Sequence, residues 1–528
     1  MGDYARGNWE QLWQECADWC WPLNDNINRV RTPGEEKPPQ RMIDDCIEAN
    51  YNFASGFFSH MFPPNTVWAK FRHPDPMMMA IPAVADYFER VSRNVHQLLI
   101  GSNFAQEEFQ ALLAMGCFGT NCLSVEEDKE KIVRFRNFVV GNVHLDVNHL
   151  GEVDTGGREF ELGPRQAVQQ FGLKVLKEKG LEQIVYDAEN GKNSKYKFIH
   201  LVCPRMEYDK TKKDIKNKPF ASYYVCKENG EIVKESGYDI NPYKTGRFSV
   251  GNDEIYGRGP MSMLLSTARR TNVIYRDMLV SAEEHAKPRW LIPDDDSTKF
   301  GRYYIKYRAT NPNGKPERLQ PNGEPTTSFE MYKLHGEQIR RMFFNHLFRP
   351  LEDKQNMTAW EAQERSTTDM MTLAPFVSRY LEEHVSPVMN HVFYIMQKRN
   401  LLPQIPQELA DSPDYEIDFV GRLSLATKSF ETMGAINTLR IFGEIGQIAP
   451  QMMQTVDNVD PDKLFKEVWY SNSSSMNALK PIEEVEEGRA AQAEAAAKQQ
   501  MVDNLAPVAD AVQKVSGKVD PESILAQG

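Results

Sequence analysis

The chain has 528 residues, too many for one hydrophobic core, and so sets an expectation of roughly two to four domains. Its hydrophobic content of 41% suits globular packing, while a net charge of −12 excludes a protein that grips nucleic acid over its whole surface. A protein that lets DNA pass without sticking remains open, since acidic walls repel phosphate and flatten the energy profile for sliding.

The seven cysteines, Cys16, Cys20, Cys46, Cys117, Cys122, Cys203 and Cys226, are odd in number and scattered. That pattern reads as reduced thiols of a cytosolic setting. Residues 1–20 lack the apolar core of a secretory signal, and Arg6 stands where myristoylation after Gly2 needs Ser or Thr. No apolar run is long enough to span a bilayer, so no membrane partner is expected.

In chain order, Trp9, Leu12, Trp13 and Cys16 share one face of a helix that stops at Pro22. A polar, proline-rich loop runs from Asn24 to Pro39. Met42 to Phe62 reads as an amphipathic helix with Ile43, Ile47, Tyr51, Ala54, Phe58 and Met61 on its apolar face, ended by Pro63-Pro64. Trp68 to Phe71 is extended, and Pro82 to Leu99 and Asn103 to Met115 add two helices. At Gly116 the pattern turns to strands. It predicts Asn121 to Glu126, Ile132 to Val140, and a hairpin over Val143 to Phe160 that folds at Leu150-Gly151. A short helix at about Pro164–Lys179 interrupts, then Tyr196 to Cys203 and Ser222 to Lys234 resume the strands. The last folds at Asn229-Gly230, a pair suited to a two-residue turn in which both positions take positive φ.

Tyr256-Gly-Arg-Gly-Pro260 opens a long helix, with Met261, Leu264, Leu265, Ala268, Tyr275, Leu279, Ala282 and Ala286 on one face and Pro288 as its stop. At 1.5 Å per residue it is roughly 40 Å long. Trp290 to Phe329 is a compact β-insert in which Gly301 to Arg308 alternates. Met331 to Leu347 is a second helix. The polar break Phe348–Met357 contains Pro350, which forbids helix there. Thr358 with Glu361 forms a capping box for a third helix, continuing through Leu373, Phe376, Tyr380, Val388 and Ile395, with kinks expected at Pro375 and Pro387. A loop from Pro403 to Pro413 leads to a strand, Tyr415 to Val420. From Ser429 the chain reads as helical, and Pro481 to Ala511 is a strong helix former with a thin apolar face.

Candidate chemistries are few. Cys117 and Cys122 with His144 and His149 have no known zinc-finger spacing, and they read as buried thiols and hairpin histidines. Gly257-Arg-Gly259 lacks the third Gly of a dinucleotide fingerprint, because Ser262 stands there, and reads as a closely packed turn. Asp294-Asp-Asp296 after Pro293 reads as a solvated turn rather than a cation site. No phosphate loop, H-E-x-x-H or G-x-S-x-G motif occurs. No metal, cofactor or catalytic residue is expected, and the chain is not read as an enzyme. A basic, tyrosine-rich strand, Arg302, Tyr303, Tyr304, Lys306, Tyr307 and Arg308, reads first as a protein interface.

Several stretches in series resemble the portal proteins, or head-to-tail connectors, of short-tailed bacteriophages. They are Ala54-Ser-Gly-Phe-Phe-Ser-His-Met-Phe-Pro-Pro-Asn-Thr-Val-Trp68, Tyr256-Gly-Arg-Gly-Pro260, Met357-Thr-Ala-Trp-Glu361, Leu373-Ala-Pro through Leu402-Pro403, and Pro481-Ile-Glu-Glu-Val485. Where the family often has a Gly-Asn or Gly-Thr-Gly turn, this chain reads Gly116-Cys-Phe-Gly-Thr-Asn121. The resemblance implies an α+β, mainly α, portal fold with wing, stem, clip and crown. It implies a ring, usually of twelve identical subunits, around an axial channel. Residues 1–255 would be the wing, 256–289 the first stem helix, 290–329 the clip and 330–347 the second stem helix. Residues 348–357 would be the tunnel loop, 358–428 the wing's long helix and return strand, 429–480 the crown, and 481–528 the C-terminal barrel helix and tail. Arg349, Glu352, Asp353, Lys354, Gln355 and Asn356 would face DNA. Arg302, Tyr304, Lys306 and Arg308 of the clip would meet the terminase motor and later the tail adaptor. Further partners implied are double-stranded DNA, capsid, and scaffold or internal core proteins. The setting is the virion vertex at the head–tail junction, after assembly in the bacterial cytoplasm. Two other classes stay open on the residues alone, a nucleic-acid-processing metalloenzyme and a non-viral helical scaffold.

Overall fold

Trp13, Cys16, Ala17 and Cys20 recur at helical spacing, and they bury α1 (Asp3–Cys20) in the main core. The structure is a computed structural model that describes residues 3–420 except 30–31, 33, 36–40, 210, 213, 288–289, 294–303, 308–316, 319–324, 349–371 and 411–413. The chain divides into two compact units, Met1–Lys428 and Ser429–Gly528, and all described residues belong to the first. The expected crown and barrel therefore lie outside the described residues.

Helix α2 (Asp45–Met61) forms where expected, and of the face expected to be apolar Ile43, Ala54 and Met61 are buried while the rest is rotated outward. Cys46, Ala49, Phe53, Ala54, Phe57 and Met61 are buried, whereas Tyr51 is exposed and Ile47 and Phe58 are half-buried. The two phenyl rings decide the rotation, because Phe53 and Phe57 each find Phe376, at 6.2 and 5.1 Å between centroids. Strand β1 (Ala69–Arg72), a single turn α3 (Pro76–Met79), α4 (Pro82–Gly101) and α5 (Phe104–Phe118) follow. Strand β1 pairs antiparallel with β13 (Glu416–Phe419), so the return strand closes on the N-terminal part.

Strand β2 (Thr120–Asp128) lies between β3 (Ile132–Phe138) and β9 (Tyr243–Arg247), antiparallel to both. Between β3 and β9 the chain builds a separate module. Five antiparallel strands follow the sequence as neighbours: β4 (Val143–Val147), β5 (Val153–Leu162), β6 (Tyr196–Pro204), β7 (Phe220–Cys226) and β8 (Ile232–Tyr238). The single helix expected at Pro164–Lys179 is two, α6 (Pro164–Phe171) and α7 (Leu173–Glu178), because Gly172 takes φ +86° between them. A third helix, α8 (Glu182–Glu189), has no counterpart in the sequence reading. Phe171, Leu176, Ile184, Phe198, Cys226 and Val233 form the module's own core. The turn at Asn229-Gly230 is longer than two residues. Only Gly230 has positive φ, its amide donates to the Cys226 carbonyl at 2.9 Å, and the Cys226 amide donates to the Glu231 carbonyl at 3.0 Å. Asp187 staples the loop before β6 by accepting from Ser194 Oγ at 2.6 Å and Tyr196 Oη at 2.8 Å, with Lys192 at 3.1 Å. The bonds from Ser194 and Tyr196, and then Lys192, hold its carboxyl down at about 2.

Lys244 of β9 is only 6% exposed and makes no hydrogen bond or ion pair with a described residue. Burial alone pulls its ammonium down to about 7. His391 lies near it, and burial followed by Lys244 depresses the imidazole to about 3; its Nδ1 has no partner.

Candidate functional site

The root of the long helix is a knot of three glycines. Gly119 caps α5 at φ +80°, and a Cβ there would stand 2.1 Å from the Gly259 nitrogen. A Cβ on Gly257 would stand 2.4 Å from the Gly119 carbonyl oxygen. The Gly257 amide donates to Thr120 Oγ1 at 2.8 Å. Gly257-Arg-Gly259 is thus a turn that backbone packs against, as its residues suggested. Tyr256, fully buried, locks the knot to α1. Its hydroxyl accepts from Arg6 Nη1 at 3.0 Å and from the Leu145 amide at 3.1 Å, and its ring packs edge-on to Trp13 at 4.9 Å.

From this root α9 (Pro260–Ala286) runs for 27 residues beside α10 (Pro325–Met342). Met261, Leu264, Leu265, Ala268 and Thr271 are buried near the base, and no residue of α9 beyond Thr271 is. The base is held by polar contacts as well. Asp45 accepts from Tyr332 Oη at 2.8 Å and Arg340 Nη2 at 3.3 Å, and Arg269 makes a two-toothed pair with Glu15. Farther out the apolar stripe is open, with Val280 51% and Leu334 55% exposed. At the far end β10 (Trp290–Pro293) pairs in parallel with β11 (Tyr304–Tyr307) and antiparallel with β12 (Glu317–Arg318). Tyr304 and Lys306 stand in β11 opposite Trp290 and Ile292. Arg302, Arg308 and Asp294–Asp296 lie outside the described residues.

The helix expected from Met331 to Leu347 begins earlier and breaks. Phe343-Phe344 forms a turn with Phe344 at φ +57°, and a short α11 (Asn345–Phe348) follows. Phe343 is fully buried, so packing offsets the left-handed backbone of its neighbour. Phe348 then lies directly on Gly56 of α2, where a Cβ would be 2.2 Å from its ring, and 5.4 Å from His60. On the return side Leu373 is buried and α12 (Ala374–Tyr380) sets Phe376 on Phe53 and Phe57 of the same α2. The described residues on both sides of 349–371 therefore pack on one helix. Arg349, Glu352, Asp353, Lys354, Gln355 and Asn356, with the Thr358 cap, lie in that span and outside the described residues. Gly56 in a helix interior was the sequence signal for this anchor.

Pro375 sits in the first turn of α12 and starts it instead of kinking it. Pro387 is accommodated by a π turn, Leu381–Val385, before α13 (Ser386–Lys398). The Ser386 amide reaches back to the Leu381 carbonyl, and the wider turn relieves the clash a proline ring makes with the carbonyl four residues earlier. Side chains from two other elements hold this turn. Buried Glu108 of α5 accepts from Tyr380 Oη at 2.5 Å and contacts His384 Nε2 at 3.1 Å, and Arg247 of β9 pairs with Glu383.

The structure does not gather the Cys117, Cys122, His144, His149 quartet. Cys117 and Cys122 are buried, and both histidines are exposed. Among the described residues no group of three or more His, Cys, Asp or Glu could hold a metal ion, and no helix is long and apolar enough to cross a membrane.

The described residues thus form a mixed α and β body with a long helical hairpin, α9 and α10, and a small three-stranded sheet between those two helices in the chain. The chain belongs to the bacteriophage head-to-tail connecting protein family, whose model matches residues 3–478. It is similar to the portal protein of Salmonella phage epsilon15, 26% identical over 518 residues that cover 93% of this chain and 90% of that one. It is also similar to a probable portal protein of Bordetella phage BPP-1, 24% identical, covering 90% and 85% of the two chains. The series of stretches that resembled portal proteins of short-tailed phages thus holds over nearly the whole length.

Proposed function

We propose that this chain is the portal subunit of a phage capsid, closing with identical copies, twelve by family resemblance, into a ring through which double-stranded DNA enters and leaves. The observation that carries the reading is the family match over residues 3–478. The open stripe on α9 and α10 supports it, since an apolar face beyond the reach of its own core is covered when a neighbouring copy packs alongside. On this reading the α9–α10 hairpin is the stem and β10–β12 belong to the clip, which meets the terminase motor and then the tail adaptor. ATP hydrolysis falls to the separate motor, because the chain carries no phosphate-loop motif. The crown and barrel follow from residue 429.

Residues 348–357 are the tunnel loop. Phe348 rests on Gly56 of α2 and Phe376 on Phe53 and Phe57 of the same helix, so the described residues on either side of 349–371 meet one element, which supports a loop within that span reaching into a channel. Arg349 and Lys354 would each offer one weak phosphate contact, and the ring's copies together would centre the duplex without trapping it. Negative-stain images of the purified chain should show annuli with a bore about the width of a duplex. The variant Arg349→Ala with Lys354→Ala should still form rings and should alter packaging or retention of the genome. Wild-type packaging and retention in that variant would refute the loop assignment, and a strictly monomeric, stably folded chain would refute the ring.

A further inference from the structure

The guanidinium of Arg247 is spent on three separate parts of the chain. Nε and Nη2 hold the two carboxylate oxygens of Glu383 at 3.0 and 2.9 Å. Nη2 also donates to the Gly151 carbonyl at 3.0 Å, in the β4–β5 turn, and Nη1 to the Ile255 carbonyl at 3.4 Å, just before the glycine knot. The Arg247 side chain is 8% exposed, so the pair is little screened by solvent. Glu383 lies in the π turn, and Arg379 shares its carboxylate at 3.7 Å.

A π turn carries one residue more than an α turn. Moving or erasing it rotates one side of a helix against the other by about 100° and shifts it by about 1.5 Å. Pro387 requires relief of its clash, but an extra residue could be taken up at more than one place upstream. Two clamps from outside the helix meet at this place, Glu108 on Tyr380 and His384, and Arg247 on Glu383.

We propose that Arg247 is a positioning residue: by holding Glu383 it fixes the π turn, and with it the angle at which α12 receives the chain from residues 349–371. The claim rests on the reading of 348–357 as the tunnel loop, since that loop's direction is what the angle would set. The neighbouring carbonyl contacts make Arg247 a rigid fixture, bound to the module turn and to the approach of α9, rather than a swinging surface arginine.

The test compares Arg247→Lys and Glu383→Gln with wild type in the full chain, assembled as rings. Amide exchange is followed in peptides covering 374–385, with peptides of α4 as an internal control, and genome retention is scored in phage. The expected result is at least tenfold faster exchange across 381–385 with α4 unchanged, and a retention defect like that of the Arg349→Ala, Lys354→Ala variant. Unchanged exchange in the π turn overturns the proposal, and so does faster exchange with retention intact. If Arg247→Lys fails to fold, Glu383→Gln carries the test, because that side chain is already 23% exposed. The loop variant run alongside shows which idea has failed. Should it be silent, the loop assignment falls, and the exchange result decides the positioning claim alone.

Discussion

Replacing Lys244 by Met should stabilise the fold, and by an amount that depends on pH. A lysine amine ordinarily titrates near 10.5, and here burial, with no acid partner among the described residues, holds it near 7. Between those values the unfolded chain carries a proton that the folded chain lacks, so stability falls as the pH drops from 10.5 to 7 and is flat below. At 1.36 kcal/mol per pH unit the ceiling is about 5 kcal/mol, and relaxation or water entry reduces the expected gain to about 2–4 kcal/mol. Methionine keeps the length and apolar stem while removing the charge. Urea unfolding of wild type and Lys244→Met at half-unit steps from pH 6 to 10.5 isolates the effect, because titrations of groups other than its neighbour His391 cancel in the difference. The variant should be the more stable at pH 6, and the two curves should converge toward pH 10.5. A difference that stays constant across that range, or a destabilised variant at pH 6, would refute the account of an unpaired buried amine.

Three further outcomes can be checked by the same unfolding measurements. Gly119→Ala and Gly151→Ala both force alanine to a φ near +80°, which costs about 1–2 kcal/mol, but only Gly119 faces backbone at 2.1 Å while Gly151 has open space. Gly119→Ala should therefore cost about 1–3 kcal/mol more, and equal losses would show that the knot is looser than described. Tyr256→Phe strips an acceptor from Arg6 and the Leu145 amide and should lower stability by about 1–3 kcal/mol, with faster amide exchange at Leu145. Asp187→Asn should weaken the module at neutral pH. The wild-type staple, present above the ordinary carboxyl range, should be lost only as the pH falls through about 2, visible as acid-dependent exchange at 192–196 in wild type and its absence in the variant.

Long elements with one strong pattern were legible in the sequence. The 27-residue α9, the β4–β5 hairpin and the return strand all fall where spacing and turn residues put them. What escaped was decided by contacts distant in sequence. Helix α2 has apolar residues on more than one side, and rings about two to three hundred residues on, Phe248, Phe343, Phe376 and Tyr380, select Phe53 and Phe57. The left-handed Phe344 is unfavoured locally and survives because Phe343 and Leu347 are buried around it. Asn229-Gly230 signalled a turn correctly but not its length, since Asn229 never needs positive φ there. The proposed loop was read from the sequence as a polar break between helices, and beyond Phe348 it lies outside the described residues. Its supports were not, because Gly56, Arg247 and Glu108 acquire meaning only beside Phe348, Glu383 and His384.

The module of residues 143–238 leaves from β3 and comes back into β9, both bonded to β2, with Phe138 and Tyr243 only 6.0 Å apart between ring centroids. Its doorway is therefore narrow and fixed, however large the room behind it. Relatives could lengthen or trim its helical side, which has its own core, without touching the partition it opens from.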